Sequence, residues 1–225
     1  MADNKKIEVV TNILERNDQI AELTQMQLTE QGLLAVNVMG APGAGKTSII
    51  LSLIKEMSEL KAYVIEGDIE SDIDAKRLKA EGVETIQINT HGACHLDAPT
   101  LAAALQDLRP IQEGIVFIEN IGNLVCPAEF QIGEHMKMLV VTVAEGSDKP
   151  YKYPLAFEKA DIIILNKIDL LPYVDFDENY FMAGVRGLNP DVLVAKISAK
   201  HNTGLKEITK WMENRMAHTR QEVYL

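Results

Sequence analysis

Seven short and mostly apolar segments recur along the 225 residues, and they constrain the fold more than any other feature of the sequence. Patterns typical of helices lie between them. Continuous apolar runs that alternate with helices indicate a parallel β-sheet covered by helices on both faces. The predicted strands are Leu33–Met39, Ala62–Ile65, Thr85–Ile88, Ile115–Ile118, Met138–Val143, Ile162–Leu165 and Val192–Ile197.

Amphipathic patterns mark both ends of the chain. Apolar residues recur at helical spacing between Lys5 and Leu28, which predicts an N-terminal helix outside the sheet, within residues 1–30. No Pro/Gly/Ser-rich linker divides residues 31–225, so we expect one α/β domain there. The last predicted helix has one apolar face, expected to pack on the sheet, formed by Leu205, Ile208, Trp211, Met212 and Met216.

The charge balance excludes some classes of function. The chain has 22 Lys and Arg against 33 Asp and Glu, a formal net charge of -11, which argues against sequence-tolerant binding of nucleic acid. Its apolar runs are too short to span a bilayer, and its N-terminus lacks a signal-peptide pattern. With only two cysteines, we expect a cytoplasmic protein with neither a membrane nor a nucleic acid as partner.

The segment Gly40–Thr47, GAPGAGKT, directly follows the first predicted strand and precedes a helix. This matches the phosphate-binding P-loop, in which glycines let backbone N–H groups approach phosphate and the helix N-terminus attracts negative charge. Lys46 is expected to reach the β- and γ-phosphates, and the Thr47 hydroxyl to ligate Mg²⁺. The predicted nucleotide-binding residues here are Gly40, Gly43, Ala44, Gly45, Lys46, Thr47 and Ser48.

Two later segments bear on the choice of base. Asp169, in the NKID segment after the sixth strand, can accept two hydrogen bonds from guanine, whereas adenine presents a different edge. The SAK segment follows the seventh strand, where a backbone N–H could meet the guanine carbonyl. Each segment alone is weak evidence for guanine binding, but in this order behind a P-loop the two resemble the base-recognition motifs of GTPases. The predicted residues for GTP and GDP are Asn166, Lys167, Asp169, Ser198, Ala199 and Lys200.

Carboxylates at two strand ends are candidates for magnesium binding and hydrolysis. Asp68 and Glu119 are assigned to the Mg²⁺ shell, because each follows an apolar strand. Asp74, with Asp72 in reserve, is assigned to orienting the attacking water, and the Gly122 N–H to the γ-phosphate, beside the catalytic Lys46. Helix capping and dipole complementarity remain an alternative for either aspartate.

Two loops bring thiol and imidazole groups into the same region. Adjacent Cys94 and His95 follow the third strand, and Cys126 precedes Pro127, which favours an extended backbone and an outward thiol. Two thiolates and one imidazole suit Zn²⁺, Ni²⁺ or Cu, but three ligands do not close a tetrahedral site. The alternatives are two small buried cysteines beside an ordinary loop histidine, and less plausibly a disulfide.

The motifs GAPGAGKT, EGDIESDIDAKR, ACHLDA, ENIGNLVCP, NKID and SAK together resemble the HypB nickel-insertion GTPases of hydrogenase maturation, over almost the whole chain. The resemblance implies a SIMIBI-class P-loop fold, GTP hydrolysis and a dimer when GTP is bound. It also implies Ni²⁺ or Zn²⁺ at the dimer interface through Cys94, His95 and Cys126. The implied partners are a HypA-type accessory protein and the large-subunit precursor of a [NiFe] hydrogenase.

Departures from the wider family narrow what we expect. The chain has neither the N-terminal cysteine cluster nor the histidine-rich tract of some relatives, so we expect one transfer site and no storage site. A urease-type nickel GTPase is one alternative, although such proteins are similar in placing a histidine soon after Cys-Pro, where this chain has Ala128. A GTPase chaperone of cobalamin enzymes and a GTP-binding acidic scaffold are the others.

Overall fold

All seven predicted strands form one parallel sheet. The structure is a computed structural model that describes residues 3–68, 73–90, 92–108 and 113–222. The strand order across the sheet is β3-β2-β4-β1-β5-β6-β7. The strands are β1 Leu33–Gly40, β2 Ala62–Asp68, β3 Glu84–Asn89, β4 Gly114–Glu119, β5 Met136–Thr142, β6 Ile162–Asn166 and β7 Leu193–Lys196.

Helices cover the sheet, as the alternating pattern predicts. The longer ones are α1 Asp3–Glu30, α2 Lys46–Glu56, α3 Ile73–Ala80, α4 Ala98–Asp107, α8 Glu178–Leu188 and α9 Leu205–Glu222. Three single-turn helices follow β4 and β5, namely α5 Cys126–Glu129, α6 Lys149–Lys152 and α7 Pro154–Glu158. Short 3₁₀ turns lie at Val143–Glu145 and Ile168–Tyr173.

The central strand β1 is buried on both faces because successive side chains point to opposite sides of the sheet. Val36 and Val38 belong to the cluster that includes α2 and α9. Leu33 and Ala35 belong to the cluster on the other face, with Leu28 of α1 and residues of α4. The predicted packing of the C-terminal helix on the sheet is therefore confirmed, and the N-terminal helix, predicted only to lie outside the sheet, packs on the opposite face.

A partly buried histidine helps to attach α1. His135 Nδ1 accepts a hydrogen bond from the Ala35 backbone N–H at 2.9 Å, and its Nε2 lies 2.8 Å from Thr29 Oγ1. The Thr29 hydroxyl donates to the Gln25 carbonyl, so Nε2 carries the proton and the ring is neutral. Burial lowers the pKa of His135 to about 4. No helix in the described part of the chain is long and apolar enough to cross a membrane.

The loop after β3 takes an unusual course. Because β3 is the edge strand and β2 separates it from β4, this loop passes over the carboxyl end of β2 to reach the end of β4. Leu96 of the loop packs against Gly67, where an added Cβ would lie 2.9 Å from Leu96 Cγ. The glycine therefore allows the loop to cross β2 at close range.

Candidate functional site

The P-loop leads from buried β1 into the N-terminus of α2. Gly45 adopts a left-handed backbone with φ of +97°, and an added Cβ would lie 2.6 Å from Asn166 Nδ2. It precedes Lys46, the first residue of α2, and offers no side chain to cap the helix. The first-turn N–H groups of α2 have no partners within their own helix, and they form a local positive end suited to phosphate.

Lys46 and Thr47 are both buried, as is Glu119 at the end of β4. Thr47 Oγ1 donates a 2.8 Å hydrogen bond to Glu119 Oε1, whereas Glu119 Oε2 has no hydrogen-bond partner among the described residues. Burial raises the pKa of Glu119 to about 7, and the charge of nearby Asp74 adds to this effect. Lys46 and the Thr47 hydrogen bond act in the opposite direction.

This arrangement fits a divalent cation. A buried carboxylate oxygen without a donor is costly, and a bound cation would satisfy it beside the Thr47 hydroxyl. Asp68 ends β2, two residues beyond Glu66, whose register partner in β4 is Glu119. The two predicted strand-end ligands therefore lie at the same edge of the sheet. Oxygen ligands of this kind are those that Mg²⁺ prefers.

The segment after β4 runs alongside the P-loop. An added Cβ at Gly122 would lie 2.7 Å from Pro42 Cγ, so this residue lies directly against the phosphate-binding loop. Asn123 forms an antiparallel bridge with Gly40. Asp74 lies in the first turn of α3, near enough to Glu119 to affect its pKa, whereas Asp72 lies outside the described residues.

The two predicted base-recognition segments meet behind the P-loop. The buried Asn166 side chain donates to the Ala44 carbonyl at 2.9 Å and accepts from the Ala199 N–H at 3.2 Å. Lys167 has a left-handed backbone with φ of 60°, and its ammonium donates to the Gly43 carbonyl at 2.7 Å. Asn166 thus ties the P-loop, β6 and the segment after β7 into one assembly.

Asp169, the predicted acceptor for guanine, is held by the segment after β7. Its Oδ1 accepts a 2.6 Å hydrogen bond from the buried Ser198 hydroxyl, which lowers the pKa of Asp169. His201 Nε2 lies 4.0 Å from Asp169 Oδ2, and Lys200 is exposed beside it. The carboxylate of Asp169 is therefore ionised near neutral pH, and the Ser198 hydroxyl holds it at Oδ1. Recognition of guanine stays a prediction, supported by this placement.

Cys94, His95 and Cys126 come together as the sequence predicts. Their ligand atoms all lie within 4.8 Å of one another, and the two sulfur atoms are 3.1 Å apart. The hydrogen bond between the thiols is the main cause of a raised pKa for Cys94, and burial is the main cause of a lowered pKa for His95. Both thiols are free and partly accessible, which leaves them able to bind a metal ion.

One local expectation was wrong. Cys126 is not extended but begins the single-turn helix α5, with Val125 before it and Pro127 at its second position. Proline fits there because the first N–H groups of a helix have no partner within the helix. The turn brings the Cys126 sulfur toward the Cys94 loop.

Two asparagines that sequence reasoning missed join the loop that carries Cys94 and His95 to the segment beside the P-loop. Asn120, next to Glu119, accepts a 3.2 Å hydrogen bond from the Leu96 N–H through Oδ1. Asn123 donates through Nδ2 to the Cys94 carbonyl at 3.2 Å. Both lie in the ENIGN segment directly after β4, and that position at a strand end was the available signal.

Comparison with known proteins agrees with this geometry. Residues 34–195 match the family described as the nucleotide-binding domain of CobW, HypB and UreG. The hydrogenase maturation factor HypB of Rhizobium leguminosarum bv. viciae is 42% identical over 214 residues, covering 95% of this chain and 72% of that protein. The HypB of Escherichia coli K12 is 40% identical, covering 95% of this chain and 74% of its own length.

Solved structures give the same result. The crystal structure of HypB from Helicobacter pylori in complex with nickel superposes with a TM-score of 0.86 at 31% identity, covering 91% of this chain and 97% of that chain. The crystal structure of HypB from Archaeoglobus fulgidus superposes with a TM-score of 0.83 at 33% identity, covering 90% of this chain and 100% of that chain. FtsY from Mycoplasma mycoides, at 15% identity and a TM-score of 0.52 over 72% of this chain and 59% of that chain, shares the fold alone.

The predicted SIMIBI-like P-loop fold is thereby confirmed. The family match covers the P-loop, the NKID segment and both cysteine loops, and the SAK segment lies just beyond its end at Ala195. The chain belongs to the CobW/HypB/UreG family, and within it to the HypB hydrogenase maturation factors.

Proposed function

We propose that this protein is a GTPase that carries nickel and that uses GTP binding and hydrolysis to load or release the ion for a [NiFe] hydrogenase. The nucleotide site and the Cys-His-Cys site share one connecting segment, residues 119–126, and this is the observation that carries the proposal. Glu119 of that segment receives the Thr47 hydrogen bond, and Cys126 lies at its other end, 3.1 Å from Cys94.

Hydrolysis in a P-loop protein depends on positioning and charge stabilisation. Lys46 and the N-terminus of α2 would stabilise charge on the phosphates, and the Gly122 N–H would contact the γ-phosphate. Thr47, Asp68 and Glu119 would hold Mg²⁺, which when bound neutralises phosphate charge. Asp74, in the first turn of α3, would orient the attacking water.

The connecting segment provides the coupling between the two sites. Its Gly122 packs on Pro42 and its Asn123 bridges Gly40, so phosphate binding in the P-loop acts directly on its backbone. The Asn123 side chain holds the Cys94 carbonyl. A shift of this segment would therefore change the distances between the metal ligands, which is how a local switch reaches a second site.

Nickel is the transferred ion in this proposal, and Zn²⁺ is a competing ion for the same ligands. Three ligands leave a position to be filled by water or by a second copy of the chain. Exposed Val125 beside Cys126 and exposed Ile73 at the start of α3 are apolar surfaces that a homodimer would cover. Dimerisation with GTP bound is therefore part of the proposal. So are a cytoplasmic location, a HypA-type accessory partner and the hydrogenase large-subunit precursor as recipient.

Metal titration tests the nickel site. Ni²⁺ and Zn²⁺ affinities are measured by chelator competition for the wild type, Cys94→Ala and Cys126→Ala, each with GDP and with a non-hydrolysable GTP analogue. We expect both substitutions to weaken binding, and the nucleotide to change the affinity of the wild type alone. Equal affinities in all three proteins would refute the metal site. A mass in solution that stays monomeric with the analogue would refute the dimer.

Hydrolysis is tested separately. Asp74→Ala should retain GTP binding and lose turnover at saturating GTP, while Asp74→Asn should recover part of it if the role is to orient water by hydrogen bonding. The exposed Asp175→Ala is a matched control on the surface. If Asp74→Ala hydrolyses GTP as fast as the control does, Asp74 has no role in hydrolysis. Its carboxylate would then serve only to complement the helix dipole at the N-terminus of α3.

A further inference from the structure

A buried ion pair lies behind the two metal-binding loops. Lys137 Nζ is 2.6 Å from Glu134 Oε1, and the side chains are only 5% and 1% exposed. Removing two charges from water is costly, and replacing such a pair by apolar residues is often neutral or stabilising. Stability alone therefore does not account for an ammonium group in the interior at this place.

The Lys137 ammonium is also bonded to the turn that carries Cys126. It donates to the Phe130 carbonyl at 2.6 Å and to the Pro127 carbonyl at 3.3 Å. These carbonyls lie within and just after α5, where the last carbonyls of a helix have no partner of their own. One buried group thus fixes the turn from behind.

The same contact reaches a second ligand. The Phe130 ring stacks on the His95 ring, with centroids 4.1 Å apart and planes at 27°. Lys137 holds the Phe130 backbone, so it constrains the surface against which His95 packs. Lys137 therefore acts on Cys126 through Pro127 and on His95 through Phe130, without touching either ligand.

Glu134 extends this arrangement to the Cys94 loop. Its Oε1 accepts from Asn37 Nδ2 at 3.3 Å, and the Asn37 Oδ1 accepts from Asn120 Nδ2 at 3.1 Å. Asn120 in turn accepts from the Leu96 N–H, next to His95. All four polar side chains, Asn37, Asn120, Glu134 and Lys137, are buried. A continuous hydrogen-bonded network thus joins the two metal loops through the core.

We propose that Lys137, held by Glu134, is a positioning residue of the metal site. It fixes the spacing of Cys126 and His95 before the ion arrives and so raises the affinity for a soft divalent cation. This inference rests on the proposed function only in that Cys94, His95 and Cys126 bind the ion. Residues that orient metal ligands from outside commonly affect affinity by about 10- to 100-fold when removed.

The test uses the full chain and Ni²⁺ as nickel chloride. Lys137→Met alone would leave the Glu134 charge buried and unpaired, so the informative variant is Lys137→Met with Glu134→Gln, which removes both charges. We expect about a tenfold or greater loss of Ni²⁺ affinity by chelator competition, together with a shifted or weakened thiolate-to-nickel absorption band. GDP affinity is expected to stay within about twofold, because the described partners of the Lys137 ammonium are Pro127, Phe130 and Glu134, all outside the P-loop.

A matched control separates positioning from loss of stability. Ile208→Ala removes a fully buried side chain of α9 in a core cluster that contains no residue of 92–97 or 120–130, and it should lower the melting temperature without changing the nickel spectrum. Wild-type nickel affinity and spectrum in the double variant, with binding lost in Cys126→Ala, would overturn this inference and leave the proposed function standing. A wild type that binds no nickel would overturn both.

Discussion

The buried carboxylate of Glu119 makes a pH-dependent contribution to stability that can be removed by one substitution. In the protein without nucleotide or metal, its pKa of about 7 exceeds the ordinary value of 4.5. The folded state therefore holds this proton more tightly than the unfolded state does. The stabilisation that results is fully present below pH 4.5 and is lost as the pH rises through 7.

The size of the effect follows from the pKa difference. A difference of about 2.5 pKa units corresponds to about 3 kcal/mol in the free energy of unfolding. Roughly 2 kcal/mol of this is expected between about pH 5.5 and about pH 8.5, a range that avoids the isoelectric point near 4.9. Glu119→Gln keeps an acceptor for the Thr47 hydroxyl but cannot ionise, so its stability should lack this component.

The assay is urea unfolding, followed by the fluorescence of the single tryptophan, Trp211, which packs against the core. As the pH rises from about 5.5 to about 8.5, the wild type should lose about 2 kcal/mol in the free energy of unfolding relative to Glu119→Gln. Other titrating groups cancel in this difference. Magnesium with a GTP analogue should instead make the wild type the more stable protein, because only the wild type has a carboxylate at position 119 to bind Mg²⁺. A difference that does not change with pH would refute the reasoning.

Three further outcomes are expected from the same structure. Because the pKa of His135 lies near 4 instead of 6.5, the wild type should lose stability more steeply than His135→Asn as the pH falls through that range, measured by urea unfolding. Gly45→Ala should lower the affinity for a fluorescent GDP by about tenfold or more, because the added Cβ would clash with Asn166 Nδ2. Gly82→Ala is the control and should keep the affinity, because Gly82 also has a positive φ but an added Cβ there meets no atom within 4 Å. Asp169→Asn should weaken GTP binding by roughly a hundredfold and favour XTP in competition, because the amide no longer offers two acceptors to guanine; unchanged preference would remove Asp169 from base recognition.

Much of the sheet could be predicted because its signal is local. The strands β1, β4, β5 and β6 are short, mostly apolar runs that are buried along their whole length, and burial of both faces of a parallel sheet requires such runs. The edge strand β3 is more polar and only partly buried. The P-loop was equally predictable, since its glycines serve a backbone conformation that side chains rarely adopt, as the φ of Gly45 illustrates. Asn166 and Ser198 were predicted as members of motifs, but their joint attachment to the P-loop and to Asp169 depends on the neighbouring strands β6 and β7.

What could not be predicted depends on contacts between distant residues. The backbone of Cys126 was expected to be extended from the preference before proline, yet it begins α5, and Lys137 binds the carbonyls of Pro127 and Phe130 at the end of that turn. Nothing in the local sequence around Lys137 marks it as buried, because charged residues usually lie at the surface. Glu134 lies only three residues before Lys137, but the burial of the pair depends on β5 lying between β1 and β6 inside the sheet.

Because the Cys94 loop passes over β2, the proposed metal site has two structural connections to the proposed nucleotide site. One runs through the segment after β4, and the other through Leu96, which rests on Gly67 one residue before the end of β2. Magnesium ligands are proposed at the ends of both strands, so either strand end can displace the loop. Substitutions that interrupt one connection should therefore leave a reduced response of metal affinity to nucleotide, and only interruption of both should abolish it. We therefore expect a substitution in either connection alone to weaken the effect of nucleotide on metal affinity without abolishing it.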